Sequence, residues 1–75
     1  MTLEQFVQKF AKEFETTPIE LFAPSTVFKA LDEWDSLIAL SIIAIADEDF
    51  NKRITGADIR NSSTIEDLYN LILAQ

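Results

Sequence analysis

The chain has 75 residues, 48% of them hydrophobic, and a formal net charge of −7 from 13 acidic and 6 basic side chains. This length predicts one small domain over residues 1–75 with its own core, and the charge disfavours nucleic acid and anionic membrane surfaces as partners. With no Cys and no His, disulfides, the common zinc sites and Ser–His base arrangements are excluded, so no metal ligand and no catalytic residue is expected.

One Gly and two Pro argue against a turn-rich β fold, and helical spacing dominates. Thr2 is a helix cap, with Gln5 completing a capping box. Leu3, Phe6, Val7, Phe10 and Phe14 then recur at three- and four-residue steps, an apolar stripe facing a core. Gln5, Gln8, Lys9, Lys12 and Glu13 fall on the wet side. Thr16-Thr17-Pro18 ends this first helix. Thr17-Pro18-Ile19-Glu20 reads as a second capping box, opening a single turn through Leu21 or Phe22. From Ala23 to Asp35 the spacing predicts an ordered loop, since Val27, Phe28, Leu31 and Trp34 are too apolar for a free linker. Loops of this length are often functional.

A second helix is expected from about Ser36 to Phe50. Ala39, Ile42, Ile43, Ala46 and Phe50 share one arc, with Ser41 and Glu48 opposite. Leu37, Ile38, Leu40, Ala44 and Ile45 lie outside that arc and are still apolar. Either this helix is the most covered one, or part of it is an exposed contact face. Thr55 caps a short third helix over Gly56–Arg60, which Asn61-Ser62 breaks. Ser63 or Thr64 caps the last, paired with Glu66 or Asp67, and Ile65, Leu68, Tyr69 and Ile72 form its buried stripe. The sum is all-α: three main helices plus one short one in a small bundle, with a long ordered loop between the first two main helices. The low-charge run Leu37–Ala46 is far short of the roughly 20 residues that span a bilayer, and Met1–Gln5 lacks a signal-peptide pattern, so a cytoplasmic location is expected. No heptad seam is present, and a monomer is expected.

Asp32-Glu33-Trp34-Asp35-Ser36-Leu37 is the most informative segment. Asp35 is a favoured N-cap type, so Ser36 becomes the first residue of the second helix. A serine there projects beside backbone N–H groups without intrahelical partners, a corner suited to a phosphate. No base or relay is near it in sequence, which argues against a hydrolase-type nucleophile. An ordinary helix-start serine is the plain alternative.

Asp35-Ser36-Leu37 at the head of the second of four helices, in an acidic chain of this size, resembles the attachment motif of acyl carrier proteins and related thiolation domains. The resemblance covers nearly the whole chain, and Asp47-Glu48-Asp49-Phe50 looks like the family's ending to its second helix. It implies that Ser36 carries 4′-phosphopantetheine, delivered from coenzyme A by a phosphopantetheinyl transferase. The arm's thiol would hold an acyl or aminoacyl group as a thioester for acyl-loading and acyl-processing enzymes of fatty acid, polyketide or related biosynthesis. Asp35 would assist the modifying enzyme, and Leu37 would dock it. Partner contact would involve Leu37, Ile38, Ser41, Ile45, Asp47 and Glu48. A sheltered acyl chain would slip between helices near Ala39, Ile43, Ala46, Ile54 and Ile59. Ile38 and Ser41 stand where the fatty-acid carriers are often acidic, and Trp34 replaces a small residue. Docking would then lean on hydrophobic contact, as in a specialised, free-standing carrier.

Two rivals stand beside this reading. Asp47, Asp49, Asn51, Ile54 and Asp58 match the spacing of a calcium-binding EF-hand loop, but Lys52 stands where that loop needs glycine and Arg53 adds positive charge. The chain could also be an unmodified acidic helical module for protein–protein interaction.

Overall fold

A computed structural model describes all 75 residues, and every regular element is helical. Helix α1 spans Leu3–Lys12, α2 Ser36–Phe50, α3 Gly56–Arg60 and α4 Ile65–Leu73, with single 3₁₀ turns at Ile19–Leu21 and Phe28–Ala30 in the long connection. Three helices begin with reciprocal capping boxes: Thr2 with Gln5, Thr55 with Asp58, and Thr64 with Asp67. Each box satisfies two backbone donors that the first turn leaves unpaired. Helix α2 begins on Asp35 alone, whose Oδ1 accepts the Ile38 N–H at 2.9 Å. It ends at Asn51, the chain's one residue of positive φ (54°), after which the Lys52 N–H returns to the Ala46 carbonyl at 3.0 Å. Asn tolerates this left-handed ending better than other side chains, and the return bond covers a terminal carbonyl.

Thirteen buried side chains form one core. Phe6, Phe10, Ile42, Ala46, Ile65, Leu68 and Ile72 are fully shielded, so the inward stripes of α1, α2 and α4 meet in a single cluster. Helix α4 packs against each of the other three. Phe28, from the loop, is also fully buried and meets the rings of Phe10 at 5.2 Å and Trp34 at 4.9 Å, both edge-on. The loop is thus part of the core, and its backbone completes a helix end as well. The Ile65 and Glu66 N–H groups of α4 donate to the Thr26 and Pro24 carbonyls at 3.1 and 2.9 Å.

Four local expectations are corrected. Helix α1 stops at Lys12, short of Thr16-Thr17-Pro18, although Phe14 still reaches the core. The reason is Glu33, which was not singled out in the sequence. Its carboxylate accepts the N–H of Glu15 (2.6 Å), Thr16 (3.0 Å) and Thr17 (3.0 Å), and the hydroxyls of both threonines. Those donors leave the helix because a better acceptor waits outside it. The same bonds occupy Thr17, so its capping box with Glu20 does not form, and the turn that follows is 3₁₀ with no side-chain cap. Val27 points outward and is half exposed. The inward arc of α2 is rotated from the expected one. Ile38, Ile42 and Ala46 are buried, while Ala39, Ile43 and Phe50 are half-buried.

Candidate functional site

Asp35 and Glu33, one and three residues before α2, fix the direction of Ser36. Asp35 is extended (φ −152°, ψ −178°), and its side chain turns inward to cap the helix. Ser36 follows as the first helical residue and is exposed to solvent. Its own N–H and that of Leu37 lie in the unpaired first turn, whereas the Ile38 N–H is taken by Asp35. Approach to Asp35 is shaped from behind by Glu33. Five hydrogen bonds tie Glu33, two residues back, to the exit of α1. The donated Glu15 N–H, with the groups of Thr16 and Thr17, holds the Glu33 carboxyl down at about 2 against the opposing pull of partial burial. Glu33 is therefore charged at any physiological pH and keeps the segment leading into Ser36 tethered.

Ser36 opens onto a groove of about 640 Å³ between α2 and α3. Its walls are Trp34, Ala39, Leu40, Ile43 and Ile59, with Lys29, Asp35, Gly56 and Arg60 around the opening. Of the five residues expected around an acyl chain, Ala39, Ile43 and Ile59 line this groove. Ala46 and Ile54 do not line it and belong to the closed core. For Ala46 the cause is the rotation of α2, which turns the Ile38–Ala46 row into the bundle and leaves the Ala39–Ile43 row at its edge.

The residues expected to meet partners divide in two. Leu37 is 72% exposed, and Leu40, not on the expected list, is 61% exposed beside it. Asp47 and Glu48 are exposed further along α2. Ile38 is a correction: it is 8% exposed and part of the core, so it offers almost no contact surface. Ile45 is half-buried against the core and shares a hollow with Lys9, Lys12 and Glu13, away from Leu37. Ser41 is half-buried, and its hydroxyl donates back to the Leu37 carbonyl at 3.3 Å. The available apolar face is therefore Leu37 with Leu40, one turn of helix.

The EF-hand spacing does not become a loop. Asp47 and Asp49 lie within α2, Asp49 pairs with Lys9 at 2.7 Å, and Asp58 caps α3. No three acidic side chains converge to hold an ion. No helix is long and apolar enough to cross a membrane. Comparison with protein-family models, curated proteins and solved structures gives no match.

Proposed function

We propose that this chain is a carrier protein whose Ser36 accepts a 4′-phosphopantetheine arm, and that it delivers acyl or aminoacyl groups, held on the arm as thioesters, to successive enzymes. The observation that carries this reading is the position of one hydroxyl. Ser36 is exposed, is the first residue of a capped helix, and opens onto an apolar groove. These surroundings fit the group: a phosphodiester at Ser36 would stand beside unpaired backbone N–H groups, with room alongside for the arm. When attached, the group supplies the thiol that this cysteine-free chain lacks.

The protein's own residues do positional work. Asp35 fixes the start of α2, so that the Ser36 oxygen is presented outward to a transferase. Glu33 anchors the peptide leading into it. Leu37 and Leu40 offer an exposed apolar face next to the attachment point, where an enzyme reaching for the arm would land. Tethering then keeps the cargo at high effective concentration near that enzyme.

The test is incubation with a fluorescent coenzyme A conjugate and several broad-specificity phosphopantetheinyl transferases. Label on the wild-type chain and none on Ser36→Ala supports the carrier reading. Failure of every transferase to label the folded wild type overturns it. The same exposed Leu37 and Leu40 pair favours a second reading, an unmodified interaction module, and that outcome would select it.

A further inference from the structure

The opening of the groove beside Ser36 is cationic, in a protein where acidic groups outnumber basic ones by 13 to 6. Lys29 and Arg60 stand there together, brought from the long loop and the end of α3. Neither has an acidic partner, since the molecule's one ion pair is Lys9 with Asp49. Lys29 is nevertheless held in place. Lys29 Nζ donates to the Arg60 carbonyl at 2.7 Å, which seats the ammonium on the last turn of α3 and leaves two of its donors free. The Arg60 guanidinium folds back along α3, with Nη1 in van der Waals reach of the position a side chain on Gly56 would occupy, 3.4 Å away. Glycine leaves that path open. The one acidic group at the same opening is Asp35, whose Oδ1 is engaged in capping α2.

Two unpaired cations that share a groove with an exposed hydroxyl make an arrangement for an anion. We propose that Lys29 and Arg60 bind the phosphodiester of the arm on Ser36 and turn the arm's first segment into the groove instead of leaving it in solvent. This rests on the carrier reading and deepens it. A phosphodiester on Ser36 would stand next to Asp35 on a chain of net charge −7, and the two cations offset that repulsion. Arg60 is suited to a forked contact with phosphate oxygens, and Lys29 adds a second point of charge. The apolar walls Ala39, Ile43 and Ile59 then lie along the path of the arm.

The experiment compares apo and loaded chain by amide NMR, after intact mass has established loading. In the wild type, loading shifts the amides of Gly56, Ile59 and Arg60 on α3, as well as those of Ser36 to Ile38. Arg60→Gln removes a charge that makes no side-chain hydrogen bond in the fold, and it abolishes the α3 shifts while leaving the Ser36 shifts. Lys29→Arg keeps charge and donor and retains them. Salt near 1 M, where the screening length is about 3 Å, diminishes the α3 shifts in the wild type. Loaded protein whose shifts stop at Ile38, or whose α3 shifts persist unchanged in folded Arg60→Gln, overturns this inference and leaves the carrier reading standing. A folded wild-type chain that no transferase loads overturns both.

Discussion

Replacing Phe28 tests whether the segment leading to Ser36 is built into the bundle or merely rests on it. Phe28 is fully buried, and its ring meets Phe10 and Trp34 edge-on at 5.2 and 4.9 Å. Each such aromatic pair is worth about 0.5–1.5 kcal/mol beyond area burial, so Phe28→Leu should cost roughly 1–3 kcal/mol. Phe28→Ala leaves a cavity as well and should cost about 3–5 kcal/mol. A chain of this size has a total stability of about 4–11 kcal/mol, so the alanine variant loses a large share of its fold, and leucine is the informative change. With a urea slope of about 1 kcal/mol/M, Phe28→Leu moves the unfolding midpoint down by roughly 1–3 M. Far-UV circular dichroism reports the helices, and emission from Trp34, the one tryptophan, reports the loop. The two transitions should coincide, because the loop and the helices share one core. Val27→Ala, at a half-exposed neighbour, serves as the control and should stay within about 0.5 kcal/mol of wild type. A Phe28→Leu midpoint equal to wild type, or Trp34 emission changing well before the helices melt, would refute the view that this loop is structural.

Other changes probe the remaining parts. Asp35→Ala removes the only side-chain cap of α2 and should cost about 0.5–2 kcal/mol in denaturant unfolding, whereas Asp35→Asn, which caps equally well, should cost little. Asn51→Gly should be neutral or stabilising and Asn51→Ala destabilising by about 1 kcal/mol, because φ is 54° there; thermal melts distinguish them. Glu33 gives a pH dependence of fixed sign. Its folded-state value is lowered from 4.5 to about 2, so its contribution is fully present above about 4.5 and is lost as pH falls towards 2. Glu33→Gln should flatten the acid limb of the stability curve in that window; an unchanged limb would remove Glu33 from the account. Leu40→Ser should leave stability within about 0.5 kcal/mol, since the side chain is 61% exposed, and should weaken contact with the transferase, seen as a raised KM.

The sequence carried the local signals well and the long-range ones poorly, for physical reasons. Capping is short-range chemistry, so Thr2 with Gln5, Thr55, the Ser63-Thr64 pair and Asp35 located the four helix starts, and the fold then chose Thr64 with Asp67 and paired Thr55 with Asp58. The stripe of α1 was legible because its polar and apolar faces separate cleanly. Helix α2 was not, since its first turns are apolar all round. Periodicity then cannot say whether the Ile38 or the Ala39 row faces inward. The fold decided for the Ile38 row, which moved Ile38 from the expected partner surface into the core, while Leu40 stayed exposed. Glu33 was missed because its partners lie 16 to 18 residues away, and three of the five are backbone N–H groups, which have no sequence signature. The cationic opening of the groove was missed for the same reason: Lys29 and Arg60 are 31 residues apart and meet only through the fold.

Intact mass spectrometry with peptide mapping addresses the proposed attachment at its source. The folded chain is incubated with coenzyme A and phosphopantetheinyl transferase, then digested. The account predicts a single phosphopantetheine increment, confined to the peptide containing Ser36 and absent from Ser36→Ala. A chain that stays unmodified with several transferases, or an increment at another serine or threonine, would contradict it.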